Sequence, residues 1–342
     1  MPLSVRDLRA VPTPLAGLAL GIASLGWSWE SFAPLGGRAQ LAGAIIAAAL
    51  LLALAGRFIV WPQSLRADLA HPVVGSVVPT FAMALMVVSK SVGTWLMPAA
   101  GATLWLMAVM LHLIFLVAFV THRLRAFELH HMVPAWFVPP VGIIVADVAF
   151  PDMDALRPLA LGLLYSGMLL YAVLLPVMMY RLLFIEEIPD PAKPTIAIMA
   201  APASLSLAGY LTVSAAPSPL LVALLAGIAV LMTLVIYLAF IKLLRLPYSP
   251  GYAAFTFPMV IGATAMTKTA DWMAGQGFSV HEMALVRGLA TLEIVVATVI
   301  VGYVSLRYLG ACRPVQEGTK GFRPPEPPPM RSRPATPELS SR

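Results

Sequence analysis

Apolar residues fall into ten long blocks separated by short polar stretches. A helix crosses a bilayer with about 20 apolar residues, within a range of about 17–25. On that rule the blocks predict membrane-spanning helices at roughly 12–30, 39–56, 72–90, 101–120, 132–150, 159–180, 194–213, 218–241, 251–270 and 284–308. The odd-numbered blocks differ from the even ones in where proline falls. Pro14, Pro79, Pro139, Pro202 and Pro258 each lie inside or near the start of an odd block, at separations of 65, 60, 63 and 56 residues. Among the even blocks only the sixth has an internal proline, Pro176. A recurring separation of this kind marks a repeated structural unit, here a hairpin of one broken helix and one continuous helix.

A proline within a helix removes one backbone donor and crowds the carbonyl four residues back. Groups freed in that way must be kept from lipid. The five broken helices therefore belong inside, around a central pore, and five continuous helices such as 101–120 and 218–241 form an outer ring facing lipid. Small residues recur beside the prolines, among them Gly17, Gly21, Gly75, Ser76, Gly142, Ala203, Ser204 and Gly262. Singly, each reads as a close-packing position between helices; as a recurring set they read as a pore lining. The expected fold is thus an all-α integral membrane protein of ten transmembrane helices, arranged as five hairpins.

Composition agrees. The chain has 342 residues, 60% of them hydrophobic and 11% charged, and its mean hydropathy is +0.87. Soluble domains run at about 45–50% apolar and about 25% charged. Seventeen of the 22 Lys and Arg fall in the termini and in the connections on the N-terminal side of the bilayer, and five (Arg38, Lys90, Arg157, Lys268 and Arg287) fall on the other side. Positive charge collects on the cytoplasmic face, so both ends are expected in the cytoplasm, and the formal charge of +6 is no sign of nucleic-acid binding. Three regions follow: a cytoplasmic N-terminus at 1–11, a transmembrane domain at 12–310, and a Pro-rich basic tail at 311–342. Runs such as Pro327-Pro328-Pro329 cannot build a core, so the tail is expected to be disordered. The single Cys312 excludes an intramolecular disulfide.

Ionisable residues inside membrane segments are functional candidates. His112, Asp147 and Glu293 are of this kind, with Lys268 or Arg287 as partners for Glu293. His112 and Glu293 suit proton relay in a coupled transporter; pairing or snorkelling at an interface is the plainer reading for His112 and Asp147. Lys90, Lys268 and Arg287 would place positive potential at the outer mouth, whereas carbonyls freed by the prolines, at Gly75, Ala135, Ile198 and Ala254, present negative ends. His130 and His131 are adjacent, and neighbours on a helix point apart, so no metal site is expected there. No cofactor is implied, and no HExxH, GxSxG, Walker A or Rossmann pattern supports an enzyme.

At Pro12-Thr13-Pro14-Leu15-Ala16-Gly17-Leu18-Ala19-Leu20-Gly21 and Ala254-Phe255-Thr256-Phe257-Pro258-Met259 the chain resembles the tellurite-resistance/dicarboxylate transporter family, which includes bacterial TehA-like proteins and the plant guard-cell slow-type anion channels. The resemblance covers about residues 10–310. It implies a homotrimer in the bacterial inner membrane, with one pore per subunit and a phenylalanine of the ninth helix plugging it. That residue maps to Phe257, and a glycine packing near the plug maps to Gly17. An aromatic ring across an apolar neck blocks ions by its bulk and by dewetting; the competing reading of Phe257 is an ordinary packed side chain. The residues before the other prolines are smaller: Val78, Val138 and Ala201. The expected function is a channel for small anions gated by Phe257. The alternative is proton-coupled export of a dicarboxylate or a tellurite-type oxyanion.

Overall fold

The computed structural model describes residues 8–311; the tail beyond Ala311 and the first seven residues lie outside it. Helices dominate, and no strand occurs among the described residues. In chain order the main segments are α1 (Leu15–Phe32), α2 (Arg38–Val60), α3 (Val74–Trp95), α4 (Pro98–Arg125), α5 (Pro134–Val148), α6 (Arg157–Phe184), α7 (Asp190–Val213), α8 (Pro219–Leu243), α9 (Thr256–Ala274) and α10 (Val280–Ala311). Seven segments among the described residues are long and apolar enough to cross a membrane: α2, α3, α4, α7, α8, α10, and α6 together with the 3-10 turn before it. The chain is therefore an all-α membrane protein.

The prolines do not kink continuous α-helices. Four of them stand where α-helix begins, and Pro79 stands in the break between the α-helical turn Val74–Val77 and the helix from Thr80. Pro14 and Pro79 immediately precede Leu15 and Thr80; Pro139, Pro202 and Pro258 occupy the second or third position of the helices starting at Val138, Ala201 and Thr256. There the missing N–H would have had no intrahelical partner, and the fixed φ suits the first turn. Upstream of three of them the chain runs as 3-10 helix, at Pro134–Phe137, Asp190–Ala200 and Pro250–Phe255. Pro176 is different: it lies well inside the α-helix of α6.

Burial divides the segments. In the most apolar stretch of α7, 83% of residues are buried, and in α3 61%, against 28–39% in α2, α4, α6, α8 and α10. The outward faces of the latter carry exposed Leu52, Met107, Leu169, Leu238 and Val299. Each of α1, α3, α5, α7 and α9 packs against two others of that set: α1 with α3, α3 with α5, α5 with α7, α7 with α9, and α9 with α1. Neighbours in sequence also pair closely, as α1 with α2, α3 with α4, α7 with α8 and α9 with α10. The start of α10 is fixed by a capping box: Ser279 Oγ accepts from the Glu282 N–H at 3.2 Å, while the Ser279 N–H donates to Glu282 Oε2 at 2.9 Å.

Candidate functional site

Two cavities lie along the mutually packed segments. The larger, about 850 Å³, is lined at helical positions by Gly17 and Leu20 of α1, Thr80 and Met83 of α3, Val141 and Gly142 of α5, Pro202 and Leu205 of α7, and Phe257 and Pro258 of α9. Its further lining includes Arg57 and Arg181, from the last turns of α2 and α6, and Arg9, His71, His130, His131 and Glu187 from connections. The smaller cavity, about 10 Å³, has room for roughly one water. It is lined by residues further along the same helices: Ser24 and Trp27, Val87 and Lys90, Val145 and Val148, Ile261 and Thr264. Phe257 borders both cavities, with only 8% of its surface exposed.

The Phe257 backbone is pinned by its neighbours. The Thr256 hydroxyl donates to Ala253 O at 2.7 Å and reaches Gly17 O at 3.2 Å, tying the first turn of α9 to α1. Gly21 faces this turn: a Cβ there would collide with the Thr256 side chain and come within 3.3 Å of the Phe257 nitrogen. Gly17 sits one turn away, where a Cβ would meet Ala253 Cβ at an ordinary 3.4 Å. Further along, Thr264 Oγ1 bonds Ser28 Oγ at 3.1 Å. Phe255 is fully buried, packed edge-on against Phe240 and tilted against Tyr252. Pro79 and Pro139 do not line either cavity; Pro202 and Pro258 line the large one.

The polar rim of the large cavity is ordered. Arg57 bonds Thr13 Oγ1 at 2.8 Å, Val11 O at 3.0 Å and Asp68 at 3.1 Å, joining the start of α1 to the end of α2. His71 accepts the N–H groups of Val73 and Val74 at 3.1 Å; burial and the nearby Arg123 charge lower its pKa. Lys193 is held by Glu187 and Asp190, each at 2.7 Å.

The ionisable candidates are dispersed. His112 is buried with Nε2 donating to Pro139 O at 2.8 Å, which joins α4 to α5. Glu293, 1% exposed, lies against Gly262 on a face of α9 that borders neither cavity, and its Oε2 has no hydrogen-bond partner among the described residues. The expected pairing of Glu293 with Lys268 or Arg287 is absent. Lys268 sits over the Trp27 ring at 5.4 Å, and Arg287 faces Asp271 at 3.7 Å on the exposed surface. Asp147 is buried against Gly209 of α7, neither oxygen having a hydrogen-bond partner among the described residues. Lys90 donates to Phe150 O and to Asp152, both at 2.7 Å, and borders the small cavity.

His130 and His131 are not on an α-helix. They belong to a 3-10 turn, Leu129–His131, and both imidazoles turn toward Glu128, at 3.3 and 3.6 Å. The expectation that they diverge is thereby corrected: the tighter turn and its free ends release them from α-helical spacing.

A family profile described as voltage-dependent anion channel (SLAC1) matches residues 15–309. Two curated relatives, both named uncharacterized transporters of Methanocaldococcus jannaschii, are 27% identical over 235 residues and 26% identical over 232. Each alignment covers 59% of this chain, and 66% and 65% of the respective relatives, so the chain matches just under two thirds of their length.

Proposed function

The chain belongs to the voltage-dependent anion channel (SLAC1) family, and from that premise we propose that it conducts small anions across the membrane through a path gated by Phe257. In this reading the ten segments all span the bilayer as five hairpins. The segments α1, α3, α5, α7 and α9 form an inner ring around the path, and α2, α4, α6, α8 and α10 form an outer ring. The observation that carries the gate is the position of Phe257 between a wide cavity and a pocket of about one water. Swinging the ring about χ1 would join the two; left in place, it closes a neck of apolar and small side chains to hydrated ions.

Anion preference has a source that the freed carbonyls of a kinked helix would not supply. Residues at the α-helical start beside the proline of each inner segment line the wide cavity: Gly17, Thr80, Val138, Pro202 and Pro258. Five α-helical starts thus surround the same space, and the field near a helix start favours negative charge. Lys90, paired with Asp152, borders the small cavity beyond the ring of Phe257. The wide cavity opens among the Lys/Arg-rich connections, which positive-inside bias assigns to the cytoplasm. A homotrimer in the bacterial inner membrane completes the proposal.

Purified protein in planar bilayers tests it. Phe257→Ala raises anion current by about tenfold or more over wild type; equal currents would reject the gate. The second reading is coupled transport, favoured by the buried, unpaired Glu293 Oε2 and by the transporter names of the relatives. Vesicles showing pH-driven substrate uptake that Glu293→Gln abolishes, with no current in either protein, would establish it instead.

A further inference from the structure

We propose that Glu128, His130 and His131 form a binding site for one divalent transition-metal ion of the zinc class at the rim of the wide cavity. One carboxylate oxygen and one nitrogen from each imidazole lie within 4.8 Å of one another. Glu128 Oε2 is 3.3 Å from His130 Nε2 and 3.6 Å from His131 Nδ1. Ligands about 2.0–2.1 Å from a tetrahedral zinc ion stand roughly 3.3 Å apart, close to both Glu128–imidazole separations, and rotation of the partly exposed imidazoles would bring their nitrogens, already within 4.8 Å of one another, onto a common ion.

The turn is held before any ion arrives. The His131 N–H donates to Glu128 O at 3.0 Å, and the Met132 N–H donates to Leu129 O at 3.1 Å. The carbonyl of His130 accepts from Arg181 Nη2 at 3.0 Å. Arg181 is itself buried and bonded to Glu186 O, so the loop is tied to α6 rather than left to drift. His131 Nδ1 is sheltered from solvent and has no hydrogen-bond partner within normal distance. An orphaned imidazole nitrogen facing a carboxylate is satisfied by a shared cation. Two imidazoles with one carboxylate select zinc, nickel or copper over calcium and magnesium, which require more oxygen ligands. Three protein ligands leave a fourth position for water or an anion.

The placement has a consequence for the cavity. His130 and His131 line it together with Arg9, Arg57 and Arg181. A bound dication would strengthen the positive potential at this mouth and raise the local anion concentration. Metal binding itself does not depend on whether the cavity conducts, so it is tested directly.

Full-length protein carrying no polyhistidine tag, stripped with chelator in detergent, is titrated with Zn²⁺ against a chromophoric competitor. One ion per chain is expected. His130→Asn with His131→Asn weakens it by roughly a hundredfold, and Glu128→Gln by about tenfold. His281→Asn, at the exposed start of α10, leaves affinity unchanged. Co²⁺ in the same site gives the intense visible bands of a tetrahedral ion, lost in the double variant. These side chains are partly exposed, and an unchanged metal-free melting curve confirms that the variants fold. Wild-type affinity weaker than about 100 µM, or binding that survives in the double variant, overturns the proposal.

Discussion

The helices α8 and α9 follow one another in the chain and pack together, yet they are built by opposite rules. Of the seven stretches apolar enough to cross a membrane, α8 is the most apolar, but only seven of its 25 residues are buried. In α9 fifteen of 19 are buried, although it carries Thr256, Thr264, Thr267, Lys268 and Thr269, one glycine and one proline. In water the more apolar helix would go inside. In lipid it gains nothing by doing so, because hydrocarbon solvates Leu as well as a protein core does. What sorts the two is backbone and polar content. Threonine hydroxyls bond to carbonyls of their own helix or across to α1, and Gly262 admits the Glu293 side chain.

The comparison is broken most directly at Phe257. Phe257→Ala is expected to raise anion current by about tenfold or more, while Leu238→Ala on the exposed face of α8 leaves it unchanged in the same bilayer recording. Equal effects would mean that neither helix borders the path.

Glycines sharpen it next. Gly21→Ala drives a Cβ into Thr256, a side chain held by its own hydrogen bonds, and should cost about 1–3 kcal/mol as overpacking. Gly227 in α8 has open space around it, so Gly227→Ala should instead gain up to about 1 kcal/mol of helix propensity. Thermal melts in one detergent distinguish the signs. Thr256→Val keeps the shape but removes the bond toward Gly17 O, and should lower stability by about 1 kcal/mol, with a rise in basal current as the Phe257 turn loosens. Arg287→Gln breaks an exposed pair with Asp271 and should change stability by about 0–1 kcal/mol with the anion-to-cation permeability ratio unmoved. A large shift in that ratio would place selectivity at the surface rather than at the neck.

Much of the fold was legible because a bilayer imposes a length on every crossing segment. The ten blocks expected from hydropathy each correspond to a helical segment, from α1 at Leu15–Phe32 to α10 at Val280–Ala311. The prolines were legible as positions but not as geometry. Sequence spacing cannot tell a kink from a helix start, since that depends on whether the preceding residues close i→i+4 or i→i+3 bonds; the 3-10 run at Asp190–Ala200 has no distinct hydrophobic signature. The reversal has electrical meaning, because a helix start presents positive dipole where a kink would have exposed a carbonyl. Gly17 and Gly21 were both visible in the first helix, but only packing shows that it is Gly21 whose Cβ would meet the turn carrying Phe257. Glu128 carried no signal of its own until the Leu129–His131 turn brought it to both histidines.

The sequence by itself determined that this is a helical membrane protein, where its apolar segments lie, and which of them carry the prolines. Those properties follow from composition and from the length of a helical crossing, and need no knowledge of neighbours. Only the tertiary structure decided that Phe257 lies between two cavities, that Glu293 and His112 border neither, and that the first turns of five helices share one space. These are relations between residues far apart in the chain, such as Gly17 and Thr256, 239 positions apart. They arise from which small side chains let backbones approach, a fact of packing that no linear pattern encodes.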